Sequence, residues 1–188
     1  MSSSDLLFLV MVLLAFGVVA AGVAWLSPLA RRIWAPASLL LLIAAGAVAP
    51  TVGAEVAIGD GQLILLVTLG GLLAVVGGGP LTALVFDLVD RREAPAPPPA
   101  ETLDQAGHVL RGGAWIGALE RAAIFAALVA GWPAGLAVVL AVKGLGRYPE
   151  LRAAEDGVRT GAAERFIIGT FASVLWACAC AGIVLLVQ

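Results

Sequence analysis

Residues 117–147, "GALERAAIFAALVAGWPAGLAVVLAVKGLGR", place Glu120, Arg121, Lys143 and Arg147 in a stretch otherwise fit for lipid. Read as one long helix kinked at Pro133, this stretch would put Arg152 and Arg159 on the opposite side of a bilayer from Arg91, Arg92 and Arg111. That placement runs against the bias of Lys and Arg toward cytoplasmic loops. Read as two short helices, 115–131 and 133–148, joined by a tight turn at "GWPAG" (131–135), the stretch brings every basic loop to one side. The second reading fixes the fold.

Composition sets the frame around this hairpin. The 188-residue chain is 61% hydrophobic and 13% charged, with mean hydropathy +1.04 and formal net charge −2. Such a chain is too apolar for a water-solvated domain, and several of its runs approach the ~20 apolar residues that cross a bilayer. The expected fold class is an all-α polytopic transmembrane bundle of about six helices containing the short 4/5 hairpin. Besides the hairpin pair, helices are expected at 5–27, 34–52 and 61–79, with the last opening at Glu164 and Arg165. Pro80 follows three glycines, so the third helix either kinks there and runs on to Asp90 or stops and restarts; the kinked long helix is favoured. Gly77–Gly79, with Gly70 and Gly71 before them, would also suit a broken helix lining a site.

"EAPAPPPA" (93–100) reads as a stiff extended linker, followed by a short surface helix at 101–111. It divides the chain into an N-terminal membrane segment (1–92), a linker (93–112) and a C-terminal membrane segment (113–188). Arg31 and Arg32, Arg91 to Arg111, and Arg147 to Arg165 then face the cytoplasm, whereas loops 53–61 and 131–135 contain no Lys or Arg. Both termini fall outside, in what would be a bacterial plasma membrane. The first helix lacks positive charge ahead of its apolar core and is expected to remain as an anchor. Trp25, Trp34, Trp115 and Trp132 fall at helix ends, where interfacial aromatic anchors belong.

The hairpin explains the charges. Counted from the turn near residue 132, Glu120 lies about 19 Å back along one helix, and Lys143 and Arg147 about 16 and 22 Å along the other. Glu120 can therefore reach Lys143 or Arg147, which share a helix face. Glu150, Glu164 and Arg165 approach the same level. The expected result is a belt of Arg121, Lys143, Arg147 and Arg165 against Glu120, Glu150 and Glu164. Such a belt serves either as a salt-bridge network fixing helix register or as a site for an anionic phospholipid headgroup or a partner's acidic segment. A proton relay has less behind it, because the single histidine, His108, sits outside the spans.

"WIGALER" (115–121), "AVKGLGRYPEL" (141–151) and "AERFIIGTFASVLWA" (163–177) resemble a family of uncharacterised bacterial integral membrane proteins. Its C-terminal half carries the pattern I-G-x-L-E-R, A-x-K-x-x-x-R-[FY]-x-E, A-E-x-x-x-I-G-T-x-x-S. The glycine after Lys143 stands where Ser is more usual. The resemblance implies a shared hairpin and final helix, with no activity attached.

Gly169, Ser173, Ala177 and Ala181 recur every four residues, a small-residue stripe that suits close packing within the bundle or, alternatively, a homo-oligomer face. Cys178 and Cys180 sit about 200° apart on a helix and form neither a bridge nor a metal pair. "EDGVRTG" (155–161) lacks the ending of a phosphate loop, and no Ser/His/Asp, Cys/His or H-E-x-x-H constellation occurs. No metal, cofactor or nucleic acid is expected. The favoured function is a non-enzymatic scaffold or accessory subunit. The alternatives are a small transporter of two inverted three-helix halves and a lipid-headgroup enzyme using Glu120 as base.

Overall fold

Apolar runs broken by Ser, Gly and Pro fold, in the computed structural model, into an all-helical bundle described over residues 2–52, 58–93, 113–153 and 156–188. In chain order the helices are α1 (Ser3–Val23), α2 (Pro28–Val48, extended by a 3₁₀ turn, Ala49–Thr51), α3 (Asp60–Glu93), α4 (Gly113–Val129), α5 (Ala134–Ala153) and α6 (Asp156–Val187). Four stretches are long and apolar enough to cross a membrane: Ser3–Val23, Pro28–Thr51, Asp60–Val89 and Glu164–Val187; α5 contributes a shorter apolar run, Ala134–Gly146.

Local chemistry sets the helix ends. Ser2 caps α1 reciprocally with Asp5: its backbone N–H donates to Asp5 Oδ2 at 2.8 Å, and its hydroxyl accepts from the Asp5 N–H at 3.3 Å. Ser27 accepts from the Ala30 N–H at 3.0 Å, and Pro28 opens α2 where its missing N–H has no partner to lose. That start lies six residues earlier than the sequence suggests, and it places Arg31 and Arg32 inside the helix.

α4 ends at the expected turn. Gly131 has φ +72°, Trp132 N–H donates to Ala127 O at 2.8 Å and Gly131 N–H to Leu128 O at 3.0 Å. This pairing satisfies two carbonyls at the helix end while the left-handed glycine reverses the chain. Gly135 then lets α5 pass close to α4, since a Cβ there would crowd Ala127 and the Trp132 ring.

α3 is continuous through Pro80 and is 34 residues long, about 51 Å at 1.5 Å per residue, well beyond a ~30 Å hydrocarbon layer. α6, at 32 residues, also overshoots. Residues 149–163, expected as a loop, are instead mostly helical: α5 runs on to Ala153 and α6 begins at Asp156, so Arg152 and Arg159 lie on helices. The linker 93–100 and the short helix at 101–111 fall outside the described residues, apart from Glu93, which closes α3.

Leu7, Leu14, Leu42, Leu66, Leu73, Phe125, Trp176 and Val184 form the centre of the core, contributed, among the described residues, by all helices but α5. α1 packs chiefly on α2 and α3 on α6, while α4 lies against both α3 and α6; α5 rests mainly on α4. Phe8, Phe16, Leu40, Ile64, Leu119, Phe171 and Leu175 stand exposed on the outer faces. A water-solvated bundle does not show this; apolar inside and outside suits a lipid solvent.

Gly131→Ala should destabilise the bundle by about 1 kcal/mol, because the left-handed backbone disfavours a Cβ. Gly144→Ala, in open space on α5, should be neutral or stabilising. Thermal unfolding of the two variants in one detergent measures the contrast.

Candidate functional site

Pro80 has no N–H, so the carbonyl four residues earlier, Val76 O, loses its helical donor. In a bilayer no water replaces it. The structure supplies a donor from another element: Trp25 Nε1, in the turn after α1, donates to Val76 O at 3.0 Å. Two neighbouring carbonyls are engaged in the same way. Arg121 of α4 donates to Val75 O from Nη2 at 2.8 Å and from Nε at 3.2 Å. Trp176 of α6 donates from Nε1 to Leu73 O at 3.0 Å. One turn of α3 therefore receives side chains from three other parts of the chain.

The three glycines before Pro80 make this geometry available. A Cβ on Gly77 would overlap the Trp176 ring, one on Gly78 the Arg121 side chain, and one on Gly79 the Trp25 ring, each under 3.0 Å. Close approach thus accounts for the run, and α3 is not broken there. Gly70 and Gly71 similarly receive the Phe125 ring of α4. Thr82 donates its hydroxyl to Gly78 O at 2.7 Å, a further local perturbation of the helix beside Pro80.

Arg121 completes its bonding with Ser173 of α6, Nη1 to Oγ at 3.2 Å, and is only 4% exposed. The belt expected from the sequence placed Arg121 among carboxylates. Instead its guanidinium turns inward, onto a backbone carbonyl and a hydroxyl. Its chain neighbour Glu120 points elsewhere, because successive helical residues are rotated by about 100°.

Glu120 of α4 and Lys143 of α5 form an ion pair, Lys143 Nζ to Glu120 Oε2, with both side chains largely covered. The Lys143 ammonium also stands 5.8 Å from the centroid of the Phe166 ring on α6. This cation–π contact joins the hairpin to the last helix. Arg165 lies 6.0 Å from the Phe86 ring centroid, joining α6 to the far part of α3. Glu164 is exposed. The side chains of Arg147 and Glu150 lie outside the described residues.

The small-residue stripe of α6 is used within one chain. Gly169 receives the Phe86 ring of α3, Ser173 accepts from Arg121, and Ala177 and Ala181 are fully buried. Thr170, between them, keeps a buried hydroxyl with no hydrogen-bond partner. No protein-family model, curated protein or solved structure matches the chain.

Measured from Asp60, Val75 lies about 22 Å along α3 at 1.5 Å per residue. The turn 73–76 therefore sits in the half of a ~30 Å layer nearer Arg31 and Arg32. Of the tryptophans expected as anchors at helix ends, Trp115 and Trp132 are exposed there and Trp25 combines such a position with a bond into α3, whereas Trp34, also exposed, lies well inside α2 because that helix starts at Pro28. Trp176 was not singled out by the sequence reading. The signal for it was indirect: a glycine run opens space for a large ring beside α3, and a buried indole N–H needs an acceptor.

Chemically, the arrangement clamps helices. Among the described residues no group of three or more His, Cys, Asp or Glu side chains is placed to hold a metal.

Gly78→Ala should expel the Arg121 side chain and cost about 2 kcal/mol or more, through overlap and a buried guanidinium that loses its partners Val75 O and Ser173 Oγ. For the ion pair, Glu120→Gln and Lys143→Met should each destabilise, while the double variant should recover part of the loss. A coupling of about 1–2 kcal/mol in a double-mutant cycle is expected. Reversible unfolding in mixed micelles reads both.

Proposed function

We propose that the protein is a polytopic scaffold or accessory subunit of a bacterial plasma membrane, with six crossings and both ends outside. The observation that carries this reading is the use made of its intramembrane polar groups. Arg121, Trp25, Trp176 and Lys143 each donate across helices. A transport pathway needs polar groups free to meet a substrate, and a general base needs a carboxylate free to take a proton. Here the carbonyl orphaned by Pro80 is capped by Trp25, and the Glu120 carboxylate is occupied by Lys143.

The crossing number follows from pairing α4 and α5 as a short hairpin between the longer α3 and α6. With 17 residues in α4, about 26 Å, the hairpin fits a bilayer that thins locally or is shielded by neighbouring helices. The orientation follows from the basic residues near Arg31, Arg91 and Arg152. The resemblance of residues 115–177 to uncharacterised bacterial membrane proteins fits the same architecture.

On this reading the exposed cytoplasmic ends of the helices, with Glu164 and Arg165 at the start of the α6 span, meet a protein partner, and anionic phospholipid headgroups gather at the same level. Affinity purification from the native membrane should recover a specific partner in fixed proportion, and Glu164→Lys with Arg165→Glu should lose it. Solute flux by the purified protein alone in proteoliposomes would overturn the scaffold reading. For topology, Arg152→Cys, made with Cys178→Ala and Cys180→Ala, should react with an impermeant maleimide only after cells are opened. Reaction on intact cells would refute the proposed orientation.

A further inference from the structure

We infer that α3 carries a latched hinge at Pro80, and that Trp25 is its releasable catch. A proline inside a helix lowers the resistance to bending, because a backbone bond is missing and the ring crowds the preceding turn. In α3 that turn is held by donors of unequal accessibility. Arg121 and Trp176 are 4% and 2% exposed, anchored in the core, whereas Trp25 is 53% exposed and lies in the short turn between α1 and α2. The carbonyl Trp25 caps is the one that Pro80 deprives of its helical donor. The two buried donors thus hold the membrane part of α3 in register with α4 and α6. The catch at the hinge itself is the accessible one.

Geometry gives the hinge leverage. From Pro80 the helix runs 13 residues further to Glu93, an arm of about 20 Å. A 20° change of bend would carry the arm's end by about 7 Å. α6 lies along the arm, with Phe86 seated on Gly169 and Arg165 over the Phe86 ring, so a bend at Pro80 slides the arm against α6. Release of Trp25 leaves Val76 O unsatisfied in a water-poor environment, which favours the latched state. An interfacial indole has alternative acceptors in lipid headgroups, so the catch can open where the buried donors cannot. The device stands apart from whatever partner the cytoplasmic face binds.

The test uses the full chain in lipid nanodiscs, with Cys178→Ala and Cys180→Ala and spin labels on cysteines replacing the exposed Leu88 on the arm and the exposed Ile116 on α4, which Arg121 holds to α3 ahead of Pro80. Leu88 lies 8 residues, about 12 Å, beyond Pro80, so a 20° bend moves it sideways by about 4 Å. Double electron–electron resonance on this parent should give one narrow distance distribution. Trp25→Phe should broaden it and add a second component displaced by up to about 4 Å. Trp34→Phe, an interfacial tryptophan with no bond into α3, should leave it unchanged. Pro80→Ala restores an N–H to Val76 O, so the double variant Trp25→Phe/Pro80→Ala should return to the narrow distribution. If Trp25→Phe alone fails to fold, recovery of folded protein on adding Pro80→Ala carries the same support. An unchanged distribution in Trp25→Phe, equal broadening by Trp34→Phe, or failure of Pro80→Ala to restore either distance or folding would overturn the hinge.

Discussion

A carbonyl without a donor, in a place without water, is the constraint around which this bundle is arranged. Pro80 creates one at Val76, and the surroundings forbid the usual remedy of hydration. The three preceding glycines thin α3 until side chains from the α1–α2 turn, α4 and α6 reach its backbone. Each arriving group fixes a register. Trp25 sets the end of α1 against α3, Arg121 sets α4, and Trp176 sets α6. Apolar packing alone specifies such registers poorly in lipid, since hydrocarbon tails solvate leucine as well as another helix does. Directional bonds to backbone carbonyls discriminate between registers one residue apart.

The two cations of the hairpin level illustrate two solutions to one problem. A charge deep in hydrocarbon costs about 2.5–3.5 kcal/mol on insertion scales. Lys143 is a compact ammonium and takes a carboxylate, Glu120, with the Phe166 ring beside it. Arg121 has a planar fork of five N–H groups and spreads them over Val75 O and Ser173 Oγ. A lysine at 121 would present one compact ammonium where the guanidinium reaches two acceptors from separate N–H groups. Glu120 and Arg121 are adjacent in sequence, but their different faces serve α5 on one side and α3 with α6 on the other.

Much of the architecture was legible before any coordinates. The turn at 131–135 announces itself through a glycine, a tryptophan and a proline in succession, and its left-handed Gly131 is what that chemistry demands. The level of Glu120 and Lys143 follows from counting residues away from that turn; at Pro80 the sequence allows a run-on, the favoured reading, or a stop and restart, and α3 runs on. Other features were beyond such a reading for definite reasons. Arg121 looks like a salt-bridge partner because side-chain inventories omit backbone acceptors, and its true partner is a main-chain oxygen 46 residues away. Trp176 sits in an apolar run where nothing marks one aromatic from another until α3 brings Leu73 O alongside. Residues 149–163 read as a loop because Pro149 and the charges at 150–159 suggest solvent, yet charged helical extensions beyond a bilayer satisfy the same composition.

The position of α5 shows how far the latch's influence extends. Among the described residues α5 contributes nothing to the shared core, and it rests mainly on α4, with Lys143 in contact with Glu120 and Phe166. Its register is therefore inherited: the left-handed turn at Gly131 fixes where α5 starts and sets Glu120 and Lys143 at one level, and α3, through Arg121, fixes the hairpin in the bundle. The ion pair is a consequence of the hairpin turn more than its cause, since the turn already brings the two charges to one level. Order runs from the proline outward, and the charged residues that stand out in the sequence are the last link of that chain.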